Sequence, residues 1–343
     1  MPHGSLDKLL NRKSLSRDEA RGLFDAIMDG QVESHLLAAI LAALATKGET
    51  VAELVGAAEA MRARAACVRV PAGVSAIDTC SAGGDGKPTF NISTAVAIVA
   101  AAAGATVAKH GNRSNARPSG SAEGLAALGV RIDADIATLE RCLEECRVAF
   151  LFAPQLHPAM SRAAPVRKAL GVRTIFNLVG PLTNPAHVRR QLMGVSRPEL
   201  VAPVAEALRE LGAERAVVVH GRVGLCDLSL LGPSHVASWD GTRLTAAEVT
   251  ADIVRLPSAP LEALFVANPQ ESAATIERIL AGQPGPPRDV VLFNAAAALW
   301  AAGIAADWSE GAARAREALD SGAAARTLAK WRAVSHGRSR PGE

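Results

Sequence analysis

Tyrosine is absent from this 343-residue chain, and aromatics make up only 3% of it. That removes the stacking platforms on which single-stranded nucleic acid is usually held. Charge is also nearly balanced. The formal net charge is +3 and no long basic run interrupts the body of the chain, so nucleic-acid binding gets no support from bulk electrostatics. The five cysteines, Cys67, Cys80, Cys142, Cys146 and Cys226, form no C-x-x-C pair and no Cys/His metal spacing. An odd, scattered set without a signal peptide fits a reducing, cytoplasmic setting. Residues Met1 to Asn11 lack an apolar h-region. The longest apolar stretch, Ala95 to Ala103, is too short to span a bilayer. There is no internal repeat, no P-loop and no G-x-G-x-x-G fingerprint.

What is there reads as an ordinary globular protein, 49% hydrophobic and 21% charged. Its length suits one large domain plus a smaller one. The first 68 residues show helical periodicity. Ser16 and Glu19 form a capping box ahead of Ala20, Leu23, Phe24 and Ile27, and Gly30 ends that helix. A second run, Leu36 to Ala45, stops near Gly48. Thr50 and Glu53 make another capping box for a helix to about Arg64. At Val68 to Gly73 proline and glycine break the pattern. Beyond Ser75, short apolar runs alternate with helical segments: Ile77 to Cys80, Thr106 to Lys109, Val148 to Phe152 and Ala216 to Val219. This alternation predicts βα units and a mostly parallel sheet. Gly180 to Pro185 is a second strong break. Ala-rich helices are expected around Leu292 to Ala302 and Glu310 to Val334.

Two loops carry chemistry. Asp78-Thr79-Cys80-Ser81-Ala82-Gly83-Gly84-Asp85-Gly86 follows an expected strand, and Thr89-Phe90-Asn91-Ile92-Ser93-Thr94 opens an apolar helix. Glycines let backbone N–H groups approach a ligand, and a helix N-terminus attracts anions. Ser93 and Thr94 can add hydroxyls to a phosphate or a hydrated magnesium ion. A tight turn with an ordinary helix cap is the plainer alternative. After the next strand, Lys109-His110-Gly111-Asn112-Arg113 continues to Arg117, with Ser119-Gly120-Ser121-Ala122-Glu123 starting a helix. Strand C-termini of parallel sheets are where ligands bind. A solvated basic loop is the alternative there.

Together these two loops resemble the paired signature of anthranilate phosphoribosyltransferases. Three more stretches match in order: His157-Pro158-Ala159-Met160, then Val166-Arg167 with Leu170 to Asn177, then Gly180 to Pro185. The resemblance runs from about Leu9 to Val334. It implies an α/β fold of the nucleoside phosphorylase/phosphoribosyltransferase type with a small all-helical domain. The division would be residues 1–70 as the helical domain, joined by a crossing segment around 165–190, residues 75–334 as the phosphoribosyl-binding domain, and 335–343 as a disordered tail. It implies transfer of the phosphoribosyl group from phosphoribosyl pyrophosphate to the amine of anthranilate, with magnesium, in tryptophan synthesis, by a homodimer and away from any membrane.

By position, the resemblance assigns Ser81, Gly83, Gly84, Asp85, Thr89, Asn91, Ser93, Thr94, Lys109, Arg117 and Ser121 to phosphoribosyl pyrophosphate. Asn112, His110, His157 and Arg167 fall to the acceptor, Arg167 through its carboxylate. Ser93 and Asp227 fall to the metal. Lys109, His110 and Arg167 would act by charge and positioning, with no acid–base triad. His157 could instead simply pack at a domain interface.

The sequence departs from the family in places. Ser81-Ala82 stands where Gly-Thr is usual, and Asn115-Ala116-Arg117-Pro118 replaces a Ser-rich stretch. Val223-Gly224-Leu225-Cys226-Asp227 stands where Asp-Gly-Leu-Asp-Glu is usual. A thiol is a poor ligand for hard magnesium, so weaker or fewer ions are expected. Two other readings stay open: a related transferase with another aromatic acceptor, and a non-catalytic paralogue that binds a nucleotide or nucleic acid. The signature loops of pyrimidine nucleoside phosphorylase are not found.

Overall fold

The computed structural model describes residues 2–114 and 118–337. Four helices open the chain: α1 (Pro2–Leu10), α2 (Arg17–Met28), α3 (Ser34–Lys47) and α4 (Val51–Arg62). Then come β1 (Ala76–Ser81), α5 (Ile92–Ala102), β2 (Thr106–Gly111), α6 (Ser121–Ala127), α7 (Ile136–Cys146), β3 (Val148–Phe152), α8 (Ala153–Leu156), α9 (Ala164–Leu170), α10 (Ile175–Val179), β4 (Arg190–Gly194), α11 (Val201–Glu210) and β5 (Arg215–Gly221). A hairpin, β6 (Ser234–Trp239) and β7 (Leu244–Val249), precedes α12 (Pro269–Leu280), α13 (Pro286–Ala301), α14 (Trp308–Asp320) and α15 (Ala323–Ser335).

Both capping boxes form. Ser16 Oγ accepts from the Glu19 N–H and Glu19 Oε2 from the Ser16 N–H, and Thr50 and Glu53 repeat the arrangement. Glu53 does more than cap. Fully buried, it also accepts from the Leu15 N–H at 2.9 Å and from Lys47 Nζ at 2.9 Å, tying α3, α4 and the loop before α2 at one carboxylate.

The seven strands run in the order β3-β2-β1-β4-β5-β6-β7. The first five are parallel, and β6 and β7 are antiparallel. The mostly parallel sheet is thus as expected. The sequence reading missed β4 and the hairpin. Strand β4 carries Arg190 and Gln191 beside its apolar residues, and β7 lies half in solvent at the sheet edge, so neither shows the near-continuous apolar run of a buried parallel strand. Successive residues of β5 alternate between the two faces of the sheet. Val217 and Val219 join a core with α5, α7 and α13, whereas Ala216 and Val218 join one with α2, α4, α10 and α11.

That second core spans the helical bundle and the sheet. Helices α9 and α10 pack on α3 and α4, and the Phe24 and Phe176 rings meet edge-on at 5.5 Å. The segment between α4 and β1 is pinned as well, with the Val68 N–H donating to the Pro185 carbonyl at 3.1 Å.

Two C-terminal expectations need correcting. The helical stretch from Glu310 to Val334 is two helices, divided where Gly322 takes φ +72°. The tail does not begin at Ser335. That residue ends α15, is buried, and its hydroxyl accepts from the Arg131 N–H at 3.1 Å. Residues 338–343 lie outside the described residues.

Candidate active site

Strand β1 is the switch point of the sheet: the chain runs from β1 outward through β2 to β3, then returns to the other side of β1 with β4. Ligands bind outside the carboxyl ends of strands at such a point. The glycine turn leaves β1 there. Gly83, Gly84 and Gly86 have φ of +63°, +80° and +66°, conformations that side chains resist. The Ala82 N–H holds the turn's start to the Gly194 carbonyl at 2.8 Å. Asp85 closes its far side, accepting from the Cys226 N–H at 3.0 Å and the Lys87 N–H at 3.2 Å. The Cys226 thiol lies 3.8 Å from the Gly83 carbonyl. Gly194 is the tightest point: a Cβ there would sit 1.6 Å from the Cys226 carbonyl oxygen.

Helix α5 begins beside this turn, and several motif residues are engaged in building it. Asn91 donates to the Ser119 carbonyl at 3.0 Å and accepts from the hydroxyls of Ser119 at 2.6 Å and Ser272 at 2.7 Å. Its side chain therefore stitches the second loop and α12 to the start of α5. Lys109 is 1% exposed, and its ammonium donates to the Thr79 carbonyl at 2.5 Å and to Ser93 Oγ at 3.0 Å. Burial lowers its pKa, while Asp78 first, and Cys80 and Asp227 after it, oppose the shift. Asp78, fully buried on β1, accepts from the His110 N–H at 3.0 Å and from Asn184 Nδ2 at 2.8 Å. Burial raises it to about 6. Thr89 and Thr94 are fully buried, and neither hydroxyl has a partner among the described residues.

Ser93 and Asp227 line one small internal cavity with Thr79, Cys80 and Asn294, of about 10 Å³, room for roughly one water. Asn294 fixes this corner by bonding both the Leu228 N–H (2.9 Å) and the Leu228 carbonyl (3.0 Å). Among the described residues no group of three acidic, His or Cys side chains could enclose a metal. A hydroxyl and one carboxylate fit an ion that keeps several waters and shares the phosphates of a substrate, which is how magnesium is usually held.

The second face of the site is built differently. His110 and His157 are buried with ring centroids 5.1 Å apart, and Nε2 of each is without a partner among the described residues. Burial lowers them to about 3 and about 4, opposed at His110 by a hydrogen bond with the Gly180 backbone. Both rings are neutral near pH 7. Arg167, on α9, is half-buried with its guanidinium 5.3 Å from the Phe176 ring centroid, and burial lowers its pKa. Among the described residues it has no acidic partner. Asn112 is exposed, and its Oδ1 accepts from the Arg113 N–H at 2.7 Å. Ser121 opens α6, close to Gly111. Ser81 ends β1 against Gly194. Ala116 and Arg117 lie outside the described residues.

The sequence reading passed over Asp78, Asn184, Gly194 and Arg173. Arg173 stands in the Leu170–Asn177 stretch, six residues beyond Arg167, and in the fold it reaches the glycine turn.

The helical bundle matches the glycosyl transferase family, helical bundle domain, over residues 5–65, and the sheet with its helices matches the glycosyl transferase family, a/b domain, over residues 73–325. The class is therefore a glycosyl transferase. A relative from Parvibaculum lavamentivorans named anthranilate phosphoribosyltransferase is 48% identical over 97% of each chain, and one of the same name from Rhodospirillum rubrum is 49% identical over 96% of this chain and 95% of its own. The crystal structure of anthranilate phosphoribosyltransferase from Thermus thermophilus superposes with a TM-score of 0.91 at 43% identity, covering 97% of this chain and 99% of that one. The Saccharomyces cerevisiae enzyme in complex with PRPP and Mg gives 0.88 at 27% identity over 98% of both chains. The chain belongs to the anthranilate phosphoribosyltransferase family.

Proposed function

We propose that this chain transfers the 5-phosphoribosyl group from phosphoribosyl pyrophosphate to the amine of anthranilate, releasing pyrophosphate, in tryptophan biosynthesis. The observation that carries the reading is the glycine turn at the β1/β4 switch point, beside the N-terminus of α5 and joined through one segment to a half-buried Arg167 that has no acidic partner among the described residues. The relatives' shared name favours anthranilate over another aromatic acceptor. The yeast enzyme has also been solved in complex with 4-fluoroanthranilate.

In this reaction the amine nitrogen forms a bond to ribose C1, and the bond from C1 to the pyrophosphate oxygen breaks. The electron pair leaves with pyrophosphate, and the amine gives up a proton. The barrier falls chiefly by positioning and by stabilising the leaving charge. The amides of Gly83 to Gly86, the start of α5, Ser121 and the hydroxyls of Thr89, Ser93 and Thr94 would take the phosphates. Lys109 would act from beneath, as a buried positive charge bonded to Ser93. Asn91 would serve by holding the two loops together. Arg167 would fork onto the anthranilate carboxylate. His110, His157 and Asn112 would line the acceptor's path. With a pKa of about 3, His110 is a weak proton sink at neutral pH; its open Nε2 would instead accept a hydrogen bond and orient the amine.

Magnesium, when bound, supplies charge neutralisation for the leaving pyrophosphate. Ser93 and Asp227 would hold it, more weakly than an acidic pair because Cys226 stands beside Asp227. The same reading divides the chain into a helical unit, residues 1–70 with the crossing segment 165–190, and an α/β unit, residues 75–334. It also makes the protein a cytoplasmic homodimer. No described helix is long and apolar enough to cross a membrane; light scattering of the purified protein tests the dimer. The activity is tested by mixing protein, phosphoribosyl pyrophosphate, magnesium and anthranilate and following anthranilate fluorescence. Loss of fluorescence that depends on the donor supports the reading, and fluorescence that stays constant while pyrophosphate is released and the phosphoribosyl group passes to another acceptor overturns it.

A further inference from the structure

The glycine turn has a feature that its own residues do not explain. In a trans peptide the C=O and N–H point in opposite directions. The carbonyls of Gly83 and Gly84 both point toward one side chain, Arg173, in the loop between α9 and α10. Its Nη1 donates to the Gly83 carbonyl at 3.2 Å and to the Gly84 carbonyl at 3.3 Å, and it also bonds Ser196 Oγ. The N–H groups of Gly84 and Asp85 belong to those same two peptides, so they are directed away from Arg173.

Two neighbouring carbonyls on one side of a turn repel one another, and the positive φ values of Gly83 and Gly84 add no compensating contact. A guanidinium beneath them supplies one. The fit is close: a Cβ on Gly84 would lie 2.7 Å from Arg173 Nη1, so Gly84 is glycine for Arg173 as much as for its own backbone. Ser196, just after β4, anchors the guanidinium from the other strand of the switch point. The surrounding charges are Glu49, Asp85 and Arg197, with the Cys226 thiol nearby. None of them makes an ion pair with Arg173 among the described residues. Its hydrogen bonds therefore run to the turn and to Ser196.

We propose that Arg173 is a positioning residue for the donor: by holding the Gly83 and Gly84 carbonyls on its own side, it presents the Gly84 and Asp85 amides to the diphosphate. The idea rests on the assignment of the glycine turn to phosphoribosyl pyrophosphate. Without Arg173 the two peptides can turn over, and their carbonyls then face an anion in place of their amides.

The test uses inorganic pyrophosphate and the full chain, so it does not depend on turnover. Pyrophosphate affinity is measured by calorimetry with magnesium for the wild type, Arg173→Gln, Arg173→Lys and Ser196→Ala, alongside thermal unfolding and the KM for each substrate. Charge-assisted hydrogen bonds are worth about tenfold or more in affinity. Arg173→Gln should therefore weaken pyrophosphate by about that factor and raise the KM for phosphoribosyl pyrophosphate equally. The anthranilate KM should stay within about twofold, since Arg173 is assigned no acceptor contact. Arg173→Lys keeps the charge but loses the planar fork and should recover only part of the loss. Ser196→Ala should show a smaller weakening in the same direction. Unchanged pyrophosphate affinity in a folded Arg173→Gln overturns the proposal, as does an equal rise in both KM values. If that variant does not fold, Arg173→Lys decides by the same criterion. A wild type that binds pyrophosphate but ignores anthranilate would sink the proposed activity and leave this inference standing.

Discussion

The two sides of the proposed site use their polar residues in opposite ways. On the donor side, Asn91 makes three side-chain hydrogen bonds, Lys109 makes two, and Asp85 bridges two loops. On the acceptor side, Nε2 of His110 and of His157 has no partner, and Arg167 has no carboxylate among the described residues. In the proposed assignment the donor face is a framework whose binding groups would be chiefly backbone amides, and the acceptor face would be a set of side chains open to a ligand. Substitutions on the first should therefore damage fold and function together. Those on the second should damage function with little change in stability at neutral pH.

The largest expected effect is at Lys109. Lys109→Met removes the buried cation that faces Asp78 and Asp227 and strips Ser93 Oγ of its donor. Leaving a buried charge uncompensated costs about 3–5 kcal/mol, so urea unfolding should show a loss of that order. Turnover should fall about a hundredfold or more. A variant that keeps wild-type stability would break the comparison at its strongest point. Asn91→Ala comes next. It leaves the Ser119 hydroxyl without its acceptor and the Ser119 carbonyl without its donor, while the Ser272 hydroxyl keeps only the backbone N–H at position 91; each unsatisfied buried group costs about 1–3 kcal/mol. Its melting temperature should fall, with both KM values rising because the second loop loosens.

The metal corner sharpens the comparison, because there the framework itself is altered. Cys226→Asp with Asp227→Glu should shift the magnesium titration of activity to lower concentration. Arg117→Ala is the control, since a cation in that loop could stand in for an ion. An unmoved magnesium curve in the double variant, with activity abolished in Arg117→Ala, would transfer the role to Arg117.

The smallest effect is a pH dependence on the acceptor side. His157 titrates near 6.5 when free and at about 4 in the fold, so between those values the unfolded chain binds more protons. Stability present above pH 6.5 should be lost as pH falls toward 4, by on the order of 3 kcal/mol at most from this ring. In His157→Asn that part of the acid loss should vanish. Asp78 runs the other way. Its folded pKa, about 6 against 3.8, makes its contribution full below pH 3.8 and lost as pH rises through 6. If acid unfolding curves of wild type and His157→Asn superimpose, the ring is not buried neutral.

Much of this was legible beforehand for physical reasons. Capping boxes are local, so Ser16/Glu19 and Thr50/Glu53 could be read directly. The loops after β1 and β2 announce themselves by glycine and by charge. Strand β4 and the hairpin did not, because edge position and polar residues dilute the apolar run. The residues that shape the site from a distance were invisible for a different reason. Asn184 reaches Asp78 across 106 positions and Arg173 reaches Gly83 across 90, and no spacing rule links residues so far apart. Sequence also could not separate motif residues that meet a ligand from those, such as Asn91, that hold the loops.

The central contrast is tested most directly at Arg167. Steady-state kinetics of Arg167→Ala with both substrates, paired with its melting temperature, should give an anthranilate KM raised about tenfold or more, a phosphoribosyl pyrophosphate KM within about twofold, and unfolding unchanged from wild type. An unchanged anthranilate KM, or a fall in melting temperature that accompanies a rise in both constants, would contradict it.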